Sequence, residues 1–254
     1  MTVEEAYLLA TTLSELTETF NVNLSGAANA TIGTASAVGE ILNDDAPPGL
    51  SINDVSLTEG NSGTKNFTFT VSLAEVSGIA TTVQFATGGG TATAGTDYLA
   101  TSGTLTFAPG ETSKTVTVVV NGDTVNEANE TFHVTLSNAS GGTPISIPTG
   151  IGTIQNDDIV NVATTNVTAN EDNAGTTSFT HNVSLSNSSD QTVLVVYSTS
   201  NGTATSGSDY TAASGTLTFA PGETTKSITI NVNGDTTFES NETYNLNISS
   251  PSAG

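Results

Sequence analysis

Residues Asn121–Phe132 read NGDTVNEANETF, and the same pattern returns at Asn233–Tyr244 as NGDTTFESNETY. The match extends well beyond this stretch. Residues 91–112, TATAGTDYLATSGTLTFAPGET, differ from residues 203–224, TATSGSDYTAASGTLTFAPGET, at four of 22 positions. Both matches share one register, the shift that carries Asn121 onto Asn233. Two long copies in register require two similarly folded units, because each repeat must satisfy the same pattern of buried and exposed positions. A third, partial copy precedes them. The same shift carries Glu18-Thr19-Phe20 onto Glu130-Thr131-Phe132, and a shift one position longer carries Asn43-Asp44-Asp45 onto Asn156-Asp157-Asp158. The sequence thus divides into 1–46, the C-terminal part of a repeat; 47–158, a complete repeat; and 159–254, a repeat without its last strand.

Within the complete repeat the apolar residues alternate with polar ones, as in Phe67, Phe69, Val71 and Leu73. That period of two marks strands with one dry face. Turn residues such as Pro109-Gly110 and Asn121-Gly122 separate runs at Ser51–Leu57, Asn66–Leu73, Thr82–Thr87, a short element near Ala92–Tyr98, Gly103–Phe107, Lys114–Asn121, Glu130–Ser137 and Ser146–Gln155. About seven short strands per repeat, without helical periods, predict an all-β fold of tandem immunoglobulin-like Greek-key sandwiches. Residues 1–14 fit either a short helix or a degraded strand. The open sheet of the last repeat and the strand at 31–45 are expected to be able to complete one another head-to-tail between molecules.

Charge narrows the partners. Three lysines and no arginine face 25 acids, for a net charge of −22. Nucleic acid and anionic membranes are excluded as partners, since phosphate needs clustered basic residues. With no cysteine there is neither a disulfide framework nor a thiolate metal site. No apolar run reaches membrane-spanning length. Glu4 and Glu5 stand where a signal peptide carries basic residues, so the signal of an exported parent protein is expected outside this chain. His133 falls on the polar side of its strand. His181 takes the place of Phe69 in the repeat and needs a partner if it faces the core. Neither has a neighbouring nucleophile or acid in sequence, and without tryptophan a sugar cleft would be poorly furnished, so an enzyme is not expected.

The acids themselves fall at loop positions. Calcium takes six to eight hard oxygens, several of them carboxylate. Glu59, Asp97, Asp123, Glu127, Asp157 and Asp158 can supply them if their loops gather at one end of the sandwich. Solvated loop acids, which only keep the chain soluble, are the structural alternative.

The motifs TEG at 58–60, AGTDY at 94–98, GTLTFAPGET at 103–112, NGDTVNEANETF at 121–132 and NDD at 156–158 together resemble the Calx-β repeat over essentially the whole chain. The resemblance implies a sandwich that binds Ca2+ at one tip, beside the linker to the next domain. It implies as ligands Glu59, Asp97, Asp123, Glu127, Asp157 and Asp158, and in the following repeat Glu171, Asp209, Asp235 and Glu239. Glu130 and Glu242, each at the start of a strand, are read as solvated flanks, and Asp172 as a loop acid. Asn-Gly-Asp and Asn156 stand where acidic runs occur in exchanger members, which argues for fewer ions and weaker affinity. The functional expectation is a calcium-binding segment of a large exported or cell-surface protein. Calcium would rigidify loops and linkers for adhesion or spacing, with neighbouring repeats or another surface protein as partners. The alternatives are a metal-independent spacer and an intracellular calcium-sensor module.

Overall fold

Phe67, Phe69, Val71 and Leu73 all lie on one face of a single strand and are all buried, as their spacing requires. The computed structural model describes residues 13–249, and those residues contain strands and no helix. No helix long and apolar enough to cross a membrane is therefore present among them. In chain order the strands are β1 (Glu18–Asn23), β2 (Ser36–Ile41), β3 (Leu50–Ile52), β4 (Val55–Thr58), β5 (Thr64–Leu73), β6 (Thr81–Gly90), β7 (Ser102–Phe107), β8 (Ser113–Asn121) and β9 (Glu130–Ser137). They continue with β10 (Ile145–Ile147), β11 (Thr149–Gln155), β12 (Val162–Thr164), β13 (Gly175–Leu185), β14 (Val193–Asn201), β15 (Ser214–Phe219), β16 (Thr225–Gly234) and β17 (Tyr244–Ser249).

The chain clusters into two compact units. One takes the described residues up to Leu57 with Lys65–Asn121 and Glu130–Ile154; the other takes Thr58–Thr64, Gly122–Asn129 and the described residues from Gln155 on.

The first unit holds a sandwich of two sheets, in the orders β10-β3-β5-β8 and β4-β11-β9-β6-β7. Phe67, Phe69 and Val71 from β5 and Val116, Val118 and Val120 from β8 meet Val83, Phe107, Phe132 and Val134 from the facing sheet. The Phe132 ring stacks on Tyr98 at 4.7 Å and lies edge-on to Phe69 at 5.9 Å. Each of these side chains removes its whole apolar surface from water, worth roughly 1.5–3 kcal/mol apiece. Gly152 on β11 passes directly over the Phe132 ring, where a Cβ would collide with it.

Two predicted strands are divided. Ser51–Leu57 becomes β3 and β4, which lie in opposite sheets. Between them the Asn53 side chain accepts a hydrogen bond from Thr70 N at 2.5 Å, and Asp54 accepts one from Ile151 N at 2.7 Å. These two side chains take over ladder bonds where the chain crosses from sheet to sheet. Ser146–Gln155 likewise becomes β10 and β11, which also lie in opposite sheets. Pro148 separates them, having no N–H to continue a ladder. The short element near Ala92–Tyr98 is a turn with isolated bridges, not a strand. The helix-or-strand alternative at residues 1–14 falls almost wholly outside the described residues.

The same unit includes the hairpin β1–β2, registered from Glu18↔Ile41 to Asn23↔Ser36. Its Phe20, Val22 and Leu24 are exposed, whereas their counterparts Phe132, Val134 and Leu136 are buried. The hairpin therefore keeps the pairing of a repeat without the facing sheet.

The second unit repeats the plan with sheets β12-β13-β16 and β15-β14-β17. Phe179, Val183, Ile228, Ile230, Val195, Phe219 and Tyr210 form its core, with Tyr244, Leu246 and Ile248 of β17 packed against them. Residues 167–170, the counterparts of β4, form no strand here. In the first unit β4 pairs with β11, and the described residues of the second unit include no counterpart of β11.

Candidate functional site

Three chain segments of the second unit converge at residues 58–64, 122–129 and 155–158. Asn-Gly at 121–122 makes the convergence possible. A Cβ on Gly122 would run into the carbonyl oxygen of Gly60 and come within 2.9 Å of that of Glu59. With glycine there, Gly122 N donates to Gly63 O at 3.0 Å and Glu59 N donates to Gln155 O at 3.2 Å. The NDD motif then locks in. Gly60 N donates to Asp157 Oδ1 at 3.0 Å, Asn61 Nδ2 to Asp158 Oδ1 at 2.8 Å, and Asn126 Nδ2 to Asp158 O at 2.7 Å. Asn156 joins two of the segments, accepting from Glu127 N at 3.3 Å while its own amide donates to Asp158 O at 3.1 Å.

Glu59, Asp157 and Asp158 offer carboxylate oxygens that all lie within 4.8 Å of one another. Glu59 and Asp158 are buried, at 5% and 3% exposure. Burial, followed by the charges of Glu127, Asp123, Asp158 and Asp157, pushes the Glu59 carboxyl up to about 7. Asp158 is likewise raised above the ordinary aspartate value, first by burial and then by Asp157 and Asp123. Its Oδ2 is buried without any hydrogen-bond partner. Such an orphan oxygen costs about 1–3 kcal/mol, more if charged. The group therefore has the chemistry of a hard-cation site: mutually repelling carboxylates, one of them with an oxygen that no protein donor reaches. Asp123 and Glu127 lie near enough to act on Glu59 electrostatically. Asp123 also caps its own loop, accepting from Val125 N at 2.7 Å.

Asp97, in the first unit, accepts from Thr93 N at 2.6 Å and receives Asn121 N on its carbonyl at 2.8 Å. Its repeat partner Asp209 does the same with Thr205 N at 2.6 Å and Asn233 N at 2.8 Å. Asp209, Glu239 and Glu242 form a second group with oxygens within 4.8 Å of one another. The Thr205 and Ser208 hydrogen bonds hold Asp209 below the usual aspartate value. Partial desolvation, then neighbouring acids, raises Glu239 and Glu242; Asp235, Asp209 and Glu171 act on the former. Unlike Glu59 and Asp158, Glu239 and Glu242 are exposed. Glu171, Asp209, Asp235 and Glu239 are thus close enough to interact. Asp235 caps Thr237 N at 2.6 Å, as Asp123 caps its own loop. Asp172, in a left-handed conformation with φ 71°, is held by Thr177 Oγ1 at 2.9 Å.

Sequence reasoning passes over two kinds of residue. Glu242, expected as a solvated flank, completes the second acidic group. A signal for it exists, because Glu recurs at this position in Glu18, Glu130 and Glu242. Asn61, Asn126 and Asn156, the neutral residues that orient Asp158, carry no charge signal that could mark them.

Two segments, residues 44–158 and 153–254, match the family model described as the Calx-beta domain. Among curated relatives, sodium/calcium exchanger Calx of Drosophila melanogaster is 31% identical over 171 residues, covering 66% of this chain and 18% of the exchanger. Sodium/calcium exchanger 1 of Cavia porcellus is 34% identical over 191 residues, covering 66% of this chain and 19% of the exchanger. The chain thus spans about a fifth of the length of these relatives. Among solved structures, the crystal structure of CBD12 from CALX1.2 is 28% identical with a TM-score of 0.40, covering 72% of this chain and 75% of that one. The calcium binding domain CBD12 of CALX1.1 is 26% identical with a TM-score of 0.40, covering 80% and 82%. With the family model covering both segments from residue 44 to the last residue, the chain belongs to the Calx-beta domain family.

Proposed function

We propose that this chain is a calcium-binding segment of tandem β-sandwiches, dividing at 46 and 158, in an exported or cell-surface protein where it serves adhesion or spacing. The observation that carries the calcium reading is the Glu59–Asp157–Asp158 group, with its buried, unpartnered Asp158 Oδ2. Calcium accepts carboxylate, carbonyl and amide oxygens in irregular geometry, which suits a site shared among three loops. In this reading Glu59, Asp157 and Asp158 hold the ion, with Asp123 and Glu127 completing the charge. Asp97, Glu171, Asp209, Asp235 and Glu239 serve as further ligands in the two repeats. The bound ion supplies positive charge where carboxylates otherwise repel. Loop segments 58–64, 122–129 and 155–158 are then held together by attraction, and the chain stiffens at that tip. Calorimetric titration with calcium, set beside magnesium, tests this. Binding that disappears in an Asp157→Ala/Asp158→Ala variant supports it, and heat that is unchanged in that variant refutes it.

A second reading has a specific observation behind it. The curated relatives are exchangers, and a solved neighbour is titled a calcium binding domain. In that reading the same site reports calcium to a larger protein instead of stiffening a spacer. Affinity separates the two. Extracellular modules sit near 10⁻⁴–10⁻³ M, and sensors at roughly 10⁻⁷–10⁻⁵ M.

A further inference from the structure

The two sheets of the first sandwich end on β10 and β8 and on β4 and β7. An open edge offers unpaired N–H and C=O groups to any other strand, and edges kept from pairing carry a guard such as proline or a charge. Pro144 and Pro148 flank β10, Asp54 and Glu59 flank β4, and Lys114 of β8 falls on the side of Val116 and Val118. The remaining edge has no such guard. β7 (Ser102–Phe107) contains no proline, and no charged residue occurs from Tyr98 to Gly110, in a chain of net charge −22.

The pairing of β7 with β6 fixes which backbone groups are free. Phe85 lies opposite Gly103 and Ala86 opposite Ser102, and in the next pair Thr87 N donates to Thr101 O at 2.9 Å. Bonding direction alternates along an antiparallel strand. Gly103 and Leu105 therefore turn their backbone groups to β6, and Ser102, Thr104 and Thr106 turn theirs to the open side. Gly103 also leaves a gap in its row. The Phe85 ring leans over it, 3.1 Å from where a Cβ would stand, and a groove lined by Phe85, Ser102, Gly103 and Thr104 runs along the edge.

The second unit presents the same edge. β15 (Ser214–Phe219) ends its sheet, Thr199 N donates to Ala213 O at 2.8 Å, and the Tyr197 ring lies over Gly215. From Ser102 to Thr112 the two repeats are identical at every position, the exposed ones included. Exposed positions on β5 and β8 have changed: Asn66 corresponds to Ser178, Ser113 to Thr225 and Thr115 to Ser227. Two copies fold alike without matching exposed residues, so the identity at β7 and β15 marks the edge itself.

We propose that the β7 edge is a contact surface for a second copy of this chain, the two strands pairing antiparallel about a two-fold axis at Thr104. This register sets Thr104 against Thr104 of the second copy and Ser102 against its Thr106. Open N–H and C=O groups then face their complements throughout, as in strand addition to an exposed edge. The side chains agree with it. On one face hydroxyl meets hydroxyl, a favourable cross-strand pair. On the other, Leu105 of each copy stands opposite Gly103 of the other, beside the Phe85 ring that leans over that glycine. The contact is isologous, and β7 is an edge where two such acidic chains meet without opposing charges of like sign. It does not rest on the calcium reading, because the edge carries no acid.

Sedimentation velocity of the full chain over a concentration series tests this, at an ionic strength of about 0.15 M to screen the net charge. The wild-type sedimentation coefficient should rise with concentration. Because β15 presents the same edge, each variant changes both threonines. Thr104→Glu/Thr216→Glu and Thr104→Lys/Thr216→Lys each oppose like charges at the axis and should weaken association about tenfold. An equimolar mixture of the two variants opposes Glu to Lys and should associate again, which misfolded variants would not do. A wild-type coefficient independent of concentration would overturn the proposal. So would association unchanged in either variant, or a mixture no more associated than its components.

Discussion

Asn61 donates its side-chain amide to Asp158 Oδ1 at 2.8 Å, while Oδ2 of the same carboxylate is buried and meets no donor at all. One oxygen is satisfied by the protein and the other is left for something else. The surroundings make the omission costly, because burial first, and then the charges of Asp157 and Asp123, raise the Asp158 carboxyl. Replacing the charge without changing the shape should separate the two roles of this residue. Asp158→Asn relieves repulsion, so the metal-free protein is expected to gain on the order of 1 kcal/mol, a few degrees in Tm. The same variant should lose the calcium-induced gain, which for a wild-type site at ~100 times Kd is about 2.7 kcal/mol. Thermal melts with and without calcium check both halves; a full calcium shift retained in the variant removes Asp158 from the site.

Glu59 gives the pH dependence. Its carboxyl is raised in the folded protein from 4.5 to about 7. A raised acid binds its proton more tightly when folded than when unfolded, so the folded state holds more protons between these values. Stability of the metal-free protein therefore falls as pH rises from about 4.5 through about 7, and is flat in this contribution outside that window. Calcium competes with that proton, so its affinity should rise across the same interval with net proton release. Melting curves against pH measure the first effect and calorimetry in buffers of different ionisation heat the second. Glu59→Gln should flatten both profiles.

The close approach at Gly122 makes a simple steric prediction. A Cβ there meets the carbonyl oxygens of Gly60 and Glu59, both backbone atoms that cannot swing away. Gly122→Ala is expected to cost about 1–3 kcal/mol, the range for overpacking, and to weaken calcium binding by parting the two loops. Gly88→Ala, where a Cβ meets nothing, is the matched control and should change stability by less than about 1 kcal/mol. Denaturant melts of the two variants provide the comparison.

His181 occupies the position of Phe69 and is buried because it has found two partners. Its Nδ1 lies 2.9 Å from Thr165 O and its Nε2 2.7 Å from the Tyr244 hydroxyl. Tyr244 in turn takes the place of Phe132 and stacks on Tyr210 at 5.0 Å, as Phe132 stacks on Tyr98. An aromatic pair in one repeat has thus been exchanged for a hydrogen-bonded pair in the other. His181→Phe alone strips the Tyr244 hydroxyl of its partner and should cost about 1–3 kcal/mol. Adding Tyr244→Phe rebuilds the apolar pair and should recover most of that loss. The coupling in this double-mutant cycle, read from denaturant melts, is the test.

The parts legible in the sequence are those that depend on period and repetition. Alternation places Phe67 through Leu73 in the core, and the constant shift between copies makes the second unit follow from the first. The two sheet crossings are not legible. Asn53 and Asp54 look like one more turn within Ser51–Leu57 until their side chains are seen bonding to Thr70 and Ile151. Among the acids, Glu59, Asp157 and Asp158 all follow strand ends, and their carboxylate oxygens lie within 4.8 Å of one another. Which carboxylate oxygen lacks a donor is decided at the scale of single hydrogen bonds, by Asn61 and Asn156, and residue type alone carries no such information.

The pairing of β3 with β10 has a mechanical meaning. These two strands run parallel, with Ile145 beside Leu50 and Ile147 beside Ser51. Tension arriving from the N-terminal side acts on β3, and tension leaving toward the C-terminal side acts on the segment that begins with β10. In a parallel pair such opposed pulls slide one strand along the other, so the rungs are loaded together in shear. In a hairpin such as β6–β7, forces applied at its open end peel the rungs apart one at a time. Handles at Gly49 and Asn156 should therefore demand a higher unfolding force than handles at Thr81 and Phe107, and single-molecule pulling at matched loading rates would show whether they do.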